Sequence, residues 1–145
     1  AVESIILITT AEKIKKTKLK KVDLSSIEID PKIFILKDIE VGKIQKVGVL
    51  KITNNAKKSF KIKINPVLDK NIESQQEYEI CKNINCLKIN NPEFFISPKE
   101  TKEVELFLDI PYEYANKNLM FLVSVSQESK NVCGEYYIKI LVSTK

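Results

Sequence analysis

Residues 27–64, IEIDPKIFILKDIEVGKIQKVGVLKITNNAKKSFKIKI, contain the pattern that decides the fold class. Apolar and polar residues alternate along most of this stretch, most clearly in FKIKI at 60–64. Alternation with a period of two predicts β-strands that bury one face and expose the other. Gly48 interrupts the alternation and predicts a β-bulge, and the polar residues 54–58 predict a hairpin turn. The stretch therefore predicts a series of consecutive strands.

The rest of the chain continues this pattern. Residues 104–110 alternate between apolar and polar side chains, and residues 119–125 and 136–142 carry an apolar side chain at every second position, with Met120, Leu122 and Ser124 on the other face of the first of these two. No long segment has helical periodicity, and turn residues separate the alternating segments. Seven to eight strands arranged in this way predict an all-β fold, an antiparallel β-sandwich. Residues 25–145 form the predicted sandwich, and residues 1–24 form an N-terminal extension with a short β-prone segment and a lysine-rich linker.

Two segments depart from simple alternation. IFIL at 33–36 is apolar on both faces, which is expected where a strand switches between the two sheets. Pro31 suits such a switch because proline has no amide proton to donate to a strand ladder. Residues 69–86 are polar and long for a connection, so they are predicted to be a functional loop or an elaboration between the sheets.

The order of these pieces resembles immunoglobulin-like sandwiches of the major-sperm-protein and pilus-chaperone type. In such families a strand, a proline, a strand, a glycine turn and a strand ending in TNN follow one another, as in residues 27–64. The segment LKINNPEFFISPKETKEVELFLDIP at 87–111 resembles the other half of the same sandwich. With the last two strands, the resemblance covers about residues 27–143. It implies an immunoglobulin-like fold for the sandwich.

The resemblance has one specific departure. Pilus chaperones anchor the terminal carboxylate of their client with an arginine and a lysine. This chain contains no arginine, so that pair cannot be carried over to any of its residues. The resemblance therefore implies the fold, and not the client-binding chemistry of those chaperones.

Composition argues against catalysis and against a bound cofactor. The 145 residues include no histidine, tryptophan or arginine, so all 24 basic residues are lysines. This excludes histidine-dependent triads and histidine zinc sites, and three glycines are too few for a glycine-rich phosphate-binding loop. Glu103 and Glu105 lie on one strand face, but the neighbouring lysines favour a solvated face. We predict that the chain is not an enzyme and has no cofactor or metal site.

The positive charge is concentrated near the start of the chain. The net charge is +5, and residues 11–21, AEKIKKTKLKK, carry six lysines and one glutamate. No aromatic side chain interleaves with these lysines, so we predict a solvated linker and no nucleic-acid partner. The apolar residues that precede it are Ile5, Ile6, Leu7 and Ile8. We predict that they pair with a sandwich edge, either their own or, in a homodimer, that of a second copy.

Three cysteines bear on the redox environment. Cys81 and Cys86 bracket KNIN, and a four-residue gap can close a disulfide if the loop turns back on itself. We predict this disulfide, which needs an oxidising compartment, and we predict that Cys133 is a free thiol. The sequence contains no run of 18 apolar residues, so it predicts no transmembrane helix. It opens at Ala1, as expected after removal of a secretory signal. An extracytoplasmic location (periplasmic, secreted or cell surface) is predicted, with a cytoplasmic location as the alternative.

These observations predict an interaction module whose partner is unidentified. Adhesion, assembly or scaffolding through protein–protein contacts fits a sandwich with unpaired edge strands. The alternative is an accessory domain that binds carbohydrate or another cell-envelope polymer. That domain needs an exposed aromatic platform, for which the loops offer Tyr78, Tyr112 and Tyr114. The carbohydrate-binding alternative requires Tyr112 and Tyr114 to share an exposed flat face, whereas the protein-interaction hypothesis does not.

Overall fold

The computed structural model describes residues 27–68, 72, 74, 77–129 and 133–145. These residues form ten strands and two short 3-10 turns. In chain order the strands are β1 (Ile27–Asp30), β2 (Ile33–Ile39), β3 (Ile44–Asn54), β4 (Phe60–Val67), β5 (Glu79–Ile80), β6 (Leu87–Ile89), β7 (Glu93–Ile96), β8 (Thr101–Asp109), β9 (Asn118–Glu128) and β10 (Cys133–Thr144). The 3-10 turns are Ile84–Cys86 and Tyr112–Tyr114.

The strands form two sheets that pack face to face. The first sheet has the order β1-β3-β8-β6, and the second has the order β2-β10-β9-β4-β7. β5 also belongs to the second sheet, where it pairs with β9 beyond the end of β4. Most neighbouring strands are antiparallel, whereas β2 with β10 and β5 with β9 are parallel. The architecture is an immunoglobulin-like β-sandwich, which confirms the predicted fold class.

Alternation places one face of each long strand in the main core. In β8, Val104, Leu106 and Leu108 are buried, and the residues between them are partly exposed. Isoleucine, leucine, valine and phenylalanine side chains from both sheets fill the space between them. Burial of these apolar side chains is the dominant favourable contribution to the free energy of folding.

The chain switches between the sheets at Pro31, as predicted. β1 pairs with β3 in the first sheet, and β2 pairs with β10 in the second. The peptide bond between Asp30 and Pro31 is cis. The short strands on either side of Pro31, together with the two-residue β5, raise the number of strands above the predicted seven to eight.

Two other local predictions had different outcomes. The bulge at Gly48 is present as a register shift between Lys46 and Gly48 in the pairing of β3 with β8. The hairpin predicted at 54–58 is wrong, because β3 pairs with β8 and β4 pairs with β9. This turn carries the chain from the first sheet to the second.

The predicted connection at 69–86 is described at residues 72, 74 and 77–86, which include β5 and the first 3-10 turn. The predicted extension, residues 1–24, and its boundary with the sandwich lie outside the described residues.

Candidate interaction surface

A second group of apolar side chains lies on the outer face of the second sheet. Met120, Leu122 and Leu141 belong to a cluster separate from the main core, and each is at most 4% exposed. The partly buried side chains that pack against them are Val67, Ile72, Tyr78 and Ile80. We call these seven residues the outer apolar cluster. Its signal in the sequence is LMFLV at 119–123, which is apolar on both faces of β9.

β2 borders this cluster and forms one edge of the second sheet. On its outer face, Ile33 lies opposite Lys139 and Ile35 lies opposite Leu141 of β10. The side chains of Ile33 and Ile35 are 42% and 59% exposed, whereas Phe34 between them is buried. Among the described residues, no strand pairs with the other side of β2. Its outward backbone groups are therefore available to a further strand.

The available part of β2 is short. Its register with β10 is unbroken over residues 33–36 and shifts before Ile39. Pro31 precedes this part, and Asp38, with a φ of 56°, follows it. Prolines and irregular residues at strand ends limit how far another strand can pair. We call residues 33–36 the β2 edge.

The other edge strands of the described sandwich are more polar. β1 exposes Glu28 and Asp30 on its outer face, and β6 exposes Lys88. β7 exposes Glu93 beside a single large apolar side chain, Phe95. The β2 edge differs from these strands in presenting two isoleucines on one face, next to a buried apolar cluster.

The outer face of the first sheet carries paired charges. Lys46 Nζ lies 2.7 Å from Glu105 Oε2, and Lys51 Nζ lies 3.8 Å from Glu103 Oε2. The two carboxylates on one strand face are thus each paired with a lysine of β3, as expected for a solvated face. Within the described ranges, no three His, Cys, Asp or Glu side chains are placed to hold a metal ion.

The predicted disulfide partners lie next to each other at the margin of the main core. Cys81 follows β5 and Cys86 ends the first 3-10 turn, and both are buried free thiols. The Cys81 thiol donates to the carbonyl oxygen of Asn83 at 3.6 Å, and the Cys81 and Cys86 side chains are near enough to influence each other's pKa. Burial raises the pKa of Cys81, and burial with the neighbouring Cys81 raises the pKa of Cys86 to about 12. The disulfide stays a prediction, and Cys133 is exposed.

The three loop tyrosines do not share a surface. Tyr112 is 75% exposed, and its ring lies so close to Gly42 that a Cβ there would be 2.3 Å from Cζ. Tyr114 packs against the main core, and Tyr78 packs against the outer apolar cluster. These side chains therefore do not form the flat aromatic face that a carbohydrate-binding domain needs.

The residues predicted to bind a partner, Ile5, Ile6, Leu7 and Ile8, lie outside the described residues. The sequence does not single out Ile33 and Ile35 as a binding surface, because the apolar run IFIL at 33–36 indicates only a sheet switch. In the part of the chain that the structure describes, no helix is long and apolar enough to span a membrane.

Among the comparisons with known proteins, only the one with solved structures found similar chains. No family model matches the chain, and no curated protein matches its sequence. A PapD-like domain of human CEP192 matches with a TM-score of 0.61 and 10% identity, over 83% of this chain and 85% of that one. The E. coli chaperone DraB matches with a TM-score of 0.60 and 8% identity, over 81% of this chain and 54% of that one. The periplasmic chaperone SfaE matches with a TM-score of 0.60 and 17% identity, over 82% and 57%.

At these identities the likeness concerns the fold alone. The sandwich has an immunoglobulin-like fold similar to that of PapD-like and periplasmic chaperone domains, in line with the resemblance of residues 27–64 and 87–111 to pilus chaperones. It spans little more than half the length of the two chaperones, whereas it matches most of the CEP192 domain.

Proposed function

We propose that this chain is a non-catalytic protein-interaction module that binds a β-strand along the β2 edge. The observation that carries the proposal is the exposure of Ile33 and Ile35 on an edge strand beside the outer apolar cluster. In strand addition, main-chain hydrogen bonds provide affinity and alternate side chains provide specificity. An added strand would cover both isoleucines and extend the apolar part of the outer face by one strand.

The similar structures support a protein as the partner. DraB and SfaE are chaperones, so sandwiches of this type occur in proteins that act on other proteins. Chaperone activity itself is not part of the proposal, because the chain matches only about half of each chaperone and contains no arginine. Binding at the β2 edge instead relies on apolar contacts and backbone hydrogen bonds.

The proposed setting is extracytoplasmic, and the proposed role is adhesion, assembly or scaffolding. Support comes from the likeness to a periplasmic chaperone and from the adjacent thiols of Cys81 and Cys86, whose disulfide would need an oxidising compartment. That disulfide would tie the residue after β5, in the second sheet, to the residue before β6, in the first. The carbohydrate-binding alternative loses its support, because one of the three tyrosines is exposed and two are packed.

Photo-crosslinking in the cells that make the protein tests the proposal. A photoreactive phenylalanine analogue replaces Ile35 in one variant and Ile44 in the matched control. Ile44 is 58% exposed, close to the 59% of Ile35, but lies in β3 on the outer face of the first sheet. We expect a discrete protein adduct from position 35 and none from position 44. Adducts at neither position, or equal adducts at both, contradict the proposal.

A further inference from the structure

We infer that, before any partner binds, the β2 edge is occupied by residues Ile5, Ile6, Leu7 and Ile8 of the same chain, added as a strand beside β2. This inference rests on the proposed function, since it names a strand that the same edge accepts. A partner strand would then bind by replacing the chain's own segment.

The lengths of the two segments match. The β2 edge offers four residues in unbroken register, with Pro31 before them and the irregular Asp38 after them. The apolar segment at 5–8 is also four residues long, with Ser4 before it and Thr9 after it. A longer apolar strand would extend past the regular part of β2.

The apolar faces of the two segments also match. Successive side chains of a strand point to opposite faces, so four apolar residues in a row make both faces of the added strand apolar. Beside β2, one face would meet Ile33 and Ile35, and the other would lie over the margin of the core at Phe34 and Leu36. At the edge of β1, the same strand would place its apolar side chains against the exposed carboxylates of Glu28 and Asp30. The β2 edge therefore fits the segment better.

The connecting chain is long enough to reach this position. Residues 9–26, which are 18 residues, separate Ile8 from the start of β1. Fully extended, they span up to about 60 Å. The longest strand of the sandwich, β10 with 12 residues, is about 40 Å long. A tether of this length holds the segment at a local concentration in roughly the millimolar range, which favours binding within one chain.

The lysine-rich residues 11–21 do not suit this position. Residues 11–21 include six lysines, whose ammonium groups would have to lie against the isoleucines of β2. Lysines on an edge strand oppose strand addition. The same segment of a second copy remains the competing occupant, and its docking would produce a swapped dimer.

Amide hydrogen exchange in the full chain, followed by mass spectrometry, tests the inference. The test variant is Ile6→Asp with Leu7→Asp, which places a carboxylate on each face of the added strand. The matched control is Ile14→Asp with Leu19→Asp, which changes two apolar residues of the lysine-rich segment. We expect residues 33–36 to exchange at least about tenfold faster in the test variant than in the wild type and the control.

Exchange in β9 serves as the internal reference, since its inner face belongs to the main core and is unaffected by docking at β2. Equal exchange at 33–36 in all three proteins overturns the inference. Protection that is lost on dilution, together with a dimer mass in sedimentation, also overturns it, because the strand then comes from a second copy. A partner adduct at position 35 combined with equal exchange leaves the proposed function standing and the inference refuted. Protection of residues 33–36 that the test variant loses, without any partner adduct at position 35, supports the inference and refutes the proposed function.

Discussion

Ile35 and Leu141 lie opposite each other across the parallel pair β2 and β10, yet Ile35 is 59% exposed and Leu141 is 4% exposed. The difference arises because the side chains that cover the outer face pack over β9 and β10 and leave β2 uncovered. Two neighbours in one row of the sheet thus have opposite environments. This boundary between a covered and an uncovered strand defines the candidate interaction surface.

The outer apolar cluster is expected to contribute to stability as a second core. Met120→Ala removes a side chain that is fully buried in this cluster. We expect it to lower the free energy of unfolding by about 2–5 kcal/mol. The control Ile44→Ala changes an exposed side chain and should cost no more than about 0.5 kcal/mol. Urea unfolding curves provide both values, and a similar small cost for the two variants would mean that the cluster is not packed as described.

Close contact between the sheets is expected to make Gly48 sensitive to substitution. A Cβ on Gly48 would lie 2.6 Å from Cε2 of Phe34, the buried side chain of β2. Gly48→Ala should therefore destabilise the protein by about 1–3 kcal/mol. Its cost should shrink in a Phe34→Leu background, where the smaller side chain no longer reaches this position. A double-mutant cycle measures this coupling, and an equal cost of Gly48→Ala in both backgrounds would contradict the contact.

Asn54 is expected to fix the crossing between the sheets at 54–58. Its buried amide nitrogen donates to the carbonyl oxygens of Lys58 and Ile96 at 2.9 and 3.0 Å, and its Oδ1 accepts from the backbone N–H of Ala56 at 2.9 Å. Asn54→Ala leaves these groups without their partner, so we expect a loss of about 2–4 kcal/mol. The adjacent Asn55→Ala removes one exposed hydrogen bond and should cost less than about 1 kcal/mol. Thermal or urea unfolding of both variants compares the costs, and equal values would argue against a structural role for the Asn54 side chain.

The cysteines are expected to differ in reactivity and in oxidation state. In the native protein an alkylating reagent should label Cys133 alone, because the Cys81 and Cys86 thiols are buried and their pKa values are raised. For protein isolated from its native compartment, we expect one labelled thiol after unfolding without reductant and three after reduction. Three labelled thiols without reductant would contradict the predicted disulfide. Cys133→Ser, with no native labelling, is the control.

The reduced protein is expected to lose stability as the pH rises above about 9. Thiols of the unfolded chain deprotonate near this pH, whereas the raised pKa of Cys86, about 12, keeps its proton in the folded state. Between these two values the folded state binds more protons, so the free energy of unfolding falls with increasing pH. Unfolding curves of the wild type and of Cys81→Ala with Cys86→Ala isolate this contribution. Parallel pH profiles would contradict it.

Alternation was sufficient to predict the sandwich, because strands such as β4 and β8 each bury one face against the opposite sheet. It could not predict which strands are neighbours, since period two determines the buried face and not the partner. For this reason residues 54–58 resemble a hairpin in sequence but connect strands of different sheets. The parallel placement of β2 beside β10 is likewise a tertiary feature.

The candidate surface was less predictable than the fold. LMFLV in β9 and IFIL in β2 are both apolar on two faces, yet Met120 is buried and Ile35 is exposed. The difference depends on where the side chains of the connection after β4 fold back over the sheet, and no local pattern contains that information. The spacing of Cys81 and Cys86 allows a disulfide only if the loop between them turns back; the 3-10 turn at Ile84–Cys86 lies in this loop, and the disulfide stays a prediction.

The central claim is that the β2 edge binds a partner strand, and calorimetric titration of the crosslinked partner, once purified, tests it most directly. The comparison is between the wild type, Ile33→Asp with Ile35→Asp, and the control Ile44→Asp. We expect the double variant to raise the Kd by about tenfold or more, since two carboxylates would replace the apolar side chains that the partner covers. The control should bind like the wild type. Equal Kd values for all three proteins would contradict the claim.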